Sequence, residues 1–133
     1  MFEVADNSVI GRYAAASRPS TTLDVAFRVL QLLLAVVFLI AGATKLAGAQ
    51  TQVETFAKLG VGQWFRYVAG GIEIIAAVLI MVPRTVVIGA ALLFGTMTAA
   101  IEAHLVVIGG SPLPALVLLM LSAGVAWYHA LYR

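Results

Sequence analysis

The chain contains no cysteine. Disulfide relays, thiolate nucleophiles and thiolate-held iron–sulfur clusters are therefore excluded, while nothing follows about compartment. Charge is scarce as well. Only 11% of the 133 residues are Asp, Glu, Lys or Arg, against about a quarter in an ordinary soluble domain. A net charge of +2 leaves no electrostatic footprint for a nucleic acid, and none is expected as a partner. No His, Asp and Glu cluster has metal-ligand spacing, no glycine loop suits a phosphate, and no internal repeat is evident.

What is there is apolar. Hydrophobic residues make up 62% of the chain, and the mean hydropathy is +1.04. This is the composition of an integral membrane protein. Four apolar runs, at about 24–45, 65–82, 85–108 and 113–132, are each long enough to cross about 30 Å of hydrocarbon as a helix. Helices are required because backbone polar groups in lipid must satisfy one another. The expected fold is an all-α integral membrane four-helix bundle, up-down-up-down, occupying residues 23–133. Residues 1–22, long, mixed in charge and not hydrophobic, read as a flexible tail. No cleaved signal peptide is expected, because the first apolar run is span-length.

The connections carry information. Pro83-Arg84 makes a tight turn between spans two and three, and residues 109–114, GGSPLP, make another between spans three and four. The longer link between spans one and two contains TQVE, a capping-box pattern with Thr51 as N-cap and Glu54 three residues on. Val53, Phe56, Ala57 and Gly60 follow at helical spacing, so a short amphipathic helix at the membrane surface is expected, with Trp64 and Phe65 as interfacial anchors. It reads either as a connector or as a lid over a cavity. Lys and Arg favour a cytoplasmic N- and C-terminus. That orientation puts Arg12, Arg18, Arg28, Arg84 and Arg133 inside, and Lys45, Lys58 and Arg66 outside.

Ionisable groups inside spans are costly and call for a reason. Glu73 lies roughly 12 Å into the second span, near mid-membrane. Gly70, Ala76 and Ala77 flank it at helical spacing, so it is expected to face the bundle interior. It reads either as an interhelical anchor or as a proton-accepting or ligand-binding carboxylate. In the third span Ala91, Gly95 and Ala99 form a small-residue ridge leading to Glu102, which reads as a helix-packing face. Glu102 and His104 are about 200° apart around the helix and are not a pair. Lys45, ending the first span, falls on the same membrane side as Glu102, and the two are expected within reach of each other. Asp24 and Arg28 read as a local surface ion pair. Trp127, Tyr128 and Tyr132 read as an aromatic belt. His104 and His129 end antiparallel spans on opposite sides, so they cannot share a haem iron.

Together, Arg28, the run AGATK at 41–45, FAKLGVGQWFRYVAGGIEIIAAVLIMVPR, and the MTAAIEAHLVVIGGSPLPAL that follows resemble the DoxX-like family of small bacterial membrane proteins. The resemblance covers about residues 24–133. It implies a four-helix membrane bundle. Some relatives are described as a subunit of a thiosulfate:quinone oxidoreductase, others as the membrane partner in complexes handling oxidative stress. Position by position it carries over Arg28, Lys45, Glu73 and His104. The absence of cysteine separates the chain from dithiol membrane oxidoreductases.

No complete catalytic constellation is present, so the chain is not expected to be an enzyme on its own. The first reading is an accessory or scaffold subunit of a larger membrane complex, redox or respiratory, in the bacterial inner membrane. Its partners would be lipid and other membrane subunits or further copies of itself. The alternative is a quinone-binding or small-molecule-binding membrane protein, or a small proton-coupled transporter, using Glu73 with Lys45 and Glu102. No intrinsic cofactor is expected; quinone is the group the alternative would bring. A pocket between the spans separates the two readings.

Overall fold

The computed structural model describes residues 7–16 and 19–132. Arg18 and Arg133, counted in the orientation argument, and residues 1–6 and 17–18 of the expected tail lie outside the described residues. Six α-helices follow in order: α1 Asn7–Ala16, α2 Thr21–Ala47, α3 Gln50–Leu59, α4 Trp64–Met81, α5 Val86–Ala103 and α6 Leu113–Tyr132. A π-helical turn, His104–Ile108, continues α5. No strand occurs among the described residues. Four of these segments are long and apolar enough to span a membrane: α2, α4, α5 with its π turn, and α6. The helix α1 falls within the segment expected to be a tail.

The spans pack in ring order α2–α4–α5–α6, and α6 closes less extensively onto α2. The buried seam is a stripe on each helix. On α4 it is Arg66, Gly70, Glu73, Ala77 and Ile80, spaced by alternating four and three residues as inward helix faces are. Leu34, Ala35 and Phe38 of α2 meet it, with Ala90 and Leu93 of α5 and Val125 of α6 behind. The outward faces carry Val, Leu, Ile and Phe, as lipid-facing surfaces must.

Glycines set the closest approach. A Cβ on Gly42 of α2 would stand 2.6 Å from Ile74 Cγ1 and 2.8 Å from the Gly70 carbonyl oxygen. A Cβ on Gly89 of α5 would stand 2.7 Å from the Ile80 nitrogen and 2.8 Å from the Ala76 oxygen. Backbone therefore lies on backbone at α2–α4 and at the α4–α5 turn. Gln31, a polar residue inside the first span, is buried and donates to the Ile80 carbonyl. That carbonyl belongs to the last turn of α4, whose acceptors have no intrahelical donor. Thr85 Oγ1 serves Leu79 in the same way at 2.8 Å.

The amphipathic helix between the first two spans is present, but it starts differently. Its N-cap is Ala49, with no side-chain cap bond, and Thr51 lies inside the first turn. Glu54 is engaged instead by Gln50 Nε2 at 3.0 Å. The capping box fails because α2 ends on Gly48 at φ 73° and α3 begins almost at once. Gly60 does close α3, at φ 71°.

Gly42→Ala is expected to lower the melting temperature of the solubilised chain, since overpacking typically costs about 1–3 kcal/mol. Gly95→Ala, where an added Cβ meets nothing within 4 Å, should leave it unchanged. Equal melting of the two variants by circular dichroism would contradict the close α2–α4 approach.

Candidate functional site

Glu73 faces inward, as its small neighbours predict, and its partner is Lys45. The Lys45 Nζ stands 3.0 Å from Glu73 Oε2, and the two side chains are 15% and 3% exposed. Both belong to spans, so the charges neutralise each other where water cannot. Gly70 makes this reach geometrically available. A Cβ there would stand 2.9 Å from Lys45 Cβ, so Lys45 lies level with Gly70 and its chain extends one turn along α4 to Glu73.

That level has a consequence for α2. Gly70 is six residues past the start of α4, about 9 Å along the helix. The first span therefore stops short of the α4 terminus, and its last carbonyls end inside the protein. Arg66 meets one of them. Its Nη1 donates to the Lys45 carbonyl, its Nε donates to Gln63 Oε1 at 2.8 Å, and the residue is buried. A cation at a helix C-terminus also complements the helix dipole. Sequence reasoning counted Arg66 only as a surface charge. The missed signal was its position: it shares the buried α4 stripe with Gly70 and Glu73.

The space left beyond α2 is roofed by α3. Its Phe56 is buried and stands 5.9 Å, centroid to centroid, from Phe65 of α4. Gln63 Nε2 holds the Val53 carbonyl at 3.0 Å. Beneath the roof lies a cavity of about 620 Å³, with Lys45, Glu73, Thr96 and His104 among its polar lining. Ala91, Gly95 and Ala99 also line it. The small-residue ridge of α5 is thus not a helix-packing face: all three residues are exposed, and they make room for the cavity. Val68, Ile72 and Leu92 line it too and are exposed on the flanks of α4 and α5. The cavity consequently opens sideways, between two spans, toward lipid.

Lys45, Glu73 and His104 come together on this cavity. His104 starts the π turn, and its Nδ1 lies 2.8 Å from the Ala100 carbonyl. Single π turns within helices often accompany functional positions. Glu102 does not join. It is exposed on the outer side of α5 and has no hydrogen bond or ion pair among the described residues. The expected Lys45–Glu102 proximity is replaced by Lys45–Glu73, because Lys45 turns into the bundle while Glu102 faces out. Arg28 does not join either. It pairs with Asp24 as expected, Nε to Oδ2 at 3.1 Å, at the other end of α2. Tyr128 leaves the aromatic belt: it is 2% exposed and stacks on Phe27 at 4.0 Å, whereas Trp127 is 65% exposed.

The volume of the cavity suits a small ring system, Lys45 offers a donor, Glu73 an acceptor, and the opening between α4 and α5 faces lipid. A family model described as the DoxX-like family matches residues 29–126. No curated protein and no solved structure matches the chain.

Removing one partner of a buried ion pair typically costs about 3–5 kcal/mol, and replacing both with apolar groups often restores stability. Lys45→Met is therefore expected to lower the melting temperature sharply, and Lys45→Met with Glu73→Leu to recover most of the loss. Additive losses in that double-mutant cycle would show that the pair does not hold α2 to α4.

Proposed function

The chain belongs to the DoxX-like family, and from that premise we propose that it is a membrane protein binding a lipid-soluble small molecule of the quinone class. The observation that carries this reading is the cavity of about 620 Å³ that opens toward lipid and bears an ion pair on its wall. Purely structural pairs are best served by close packing around them, and here a void adjoins the pair.

Each residue has a role in this reading. Lys45 Nζ donates to a carbonyl of the bound ring, and Glu73 accepts from a hydroxyl or holds a proton beside it. His104 supplies a second polar wall. Phe56 and Leu59 of α3 cover the ring from the membrane surface and exclude water. Val68, Ile72 and Leu92 receive the first part of the tail. A bound quinone brings two-electron, two-proton redox chemistry. The electron donor or acceptor is another protein, so the chain works as a component of a larger redox assembly in the bacterial inner membrane. The Lys and Arg bias supports both termini lying inside.

The accessory-subunit role has its own support. Glu102 is a carboxylate on the outer side of a span, without a partner among the described residues. Such a charge in lipid is best explained by a polar group from a neighbouring chain.

Binding is testable with ubiquinone-1, titrated into the purified full chain by calorimetry. Saturable binding is expected. Gly95→Phe fills the cavity from a position with room and should weaken it at least about tenfold, as should Glu73→Gln. Unchanged affinity in folded Gly95→Phe and folded Glu73→Gln would overturn the proposal.

A further inference from the structure

A second cavity lies at the opposite end of the bundle from Lys45. It has a volume of about 340 Å³ and is bounded by α2, α6 and the Pro83 turn. Asp24, Arg28 and His129 form a polar end, and Leu32, Met81 and Val86 line the rest, where the Gln31 amide is committed to the Ile80 carbonyl. Leu32 and Met81 are exposed on the outer faces of their helices. The cavity therefore runs from the rim of the bundle down onto a lipid-facing surface.

The polar end is built rather than incidental. Tyr128, fully enclosed and stacked on Phe27 with the rings within 5° of parallel, donates its hydroxyl to Asp24 Oδ1 at 3.0 Å. Asp24 Oδ2 in turn accepts from Arg28 Nε at 3.1 Å. The bond uses only the Nε edge of the guanidinium. The two terminal Nη groups make no hydrogen bond among the described residues, and the side chain is 64% exposed. A guanidinium held by one edge presents its other donors in a fixed plane, and that fork matches the oxygens of a phosphate. His129 is anchored through Nδ1, 3.1 Å from the Val125 carbonyl. Its Nε2 has no hydrogen-bond partner among the described residues.

Polar and apolar halves in one cleft, at the end of a span, match an amphiphile standing in a leaflet. We propose that this cavity binds the phosphate of a glycerophospholipid, with the phosphodiester on the Arg28 Nη groups and the start of an acyl chain along Leu32, Met81 and Val86. Asp24 is a positioning residue here. It cancels much of the net charge, so recognition rests on the phosphate geometry common to phospholipids and not on an anionic headgroup. The site is separate from the Lys45–Glu73 cavity and stands whether or not a quinone binds there.

Native mass spectrometry of the delipidated full chain in neutral detergent tests this. Titration with dioleoyl phosphatidylethanolamine is expected to give one saturable adduct per chain, with dioleoylglycerol binding at least about tenfold more weakly. Arg28→Gln should cost at least about tenfold for the phospholipid, the loss typical of charge-assisted hydrogen bonds. Leu32→Trp fills the apolar half without touching the polar network and should weaken the phospholipid similarly; it decides the matter if Arg28→Gln does not fold. Competition by glycerol 3-phosphate separates the sources. No competition supports a lipid site, whereas full competition that Leu32→Trp leaves intact overturns the lipid assignment in favour of a soluble phosphate ester. Equal binding of dioleoylglycerol, or unchanged phospholipid binding in folded Arg28→Gln, overturns the proposal.

Discussion

A carboxylate at the middle of a membrane span must be protonated, be given a counter-charge or be expelled, and Glu73 is given Lys45. Most of the molecule at that end can be read as the consequence. Lysine at the end of α2 meets mid-α4 only if the two backbones touch, and Gly42 and Gly70 allow that. Contact at that level makes α2 stop short of the α4 terminus. Its exposed carbonyls then require a donor, which Arg66 supplies. The volume vacated beyond α2 requires a cover, which α3 supplies between its two positive-φ glycines, Gly48 and Gly60.

The same helices that are tight at one end part at the other. Gly89 sets the backbone of α5 against Ile80 and Ala76 beside the Pro83 turn. Farther along α5, Ala91, Gly95 and Ala99 offer no side chain long enough to reach α4, and the space between them becomes the cavity. The ion pair therefore has two duties. It fastens α2 to α4, and it is the polar wall of a chamber open to lipid. At the far end a second polar network, Tyr128–Asp24–Arg28, fastens α6 to α2 in the same manner, with its own smaller chamber beside it.

Much of this was legible in the sequence, for reasons of solvent. Span number and limits follow from hydropathy, because lipid permits few alternatives to a helix. The inward aim of Glu73 follows from Gly70, Ala76 and Ala77, and the Asp24–Arg28 pair from i, i+4 spacing. The rest depends on distances between helices, which no local pattern encodes. A ridge of small residues marks either close packing or empty space, and on α5 it marks space. Two carboxylates within spans, Glu73 and Glu102, could meet Lys45, and the depth at which α2 stops together with the outward face of Glu102 selects Glu73. Tyr128 resembles a belt residue until α2 brings Phe27 and Asp24 against it. Gln31 and Arg66 were visible as polar residues on apolar stripes, a signal as strong as that of Glu73.

We propose that the space beside Lys45 and Glu73 is a ligand chamber entered from lipid between α4 and α5. Photo-crosslinking tests it most directly: a benzoquinone with a diazirine in its tail is activated in native membranes, and the modified residues are mapped by mass spectrometry. Labels are expected to concentrate on Val68, Ile72 and Leu92 and to be suppressed by excess unlabelled quinone. Labels scattered over the outer faces of α2 and α6, insensitive to competitor, would contradict it.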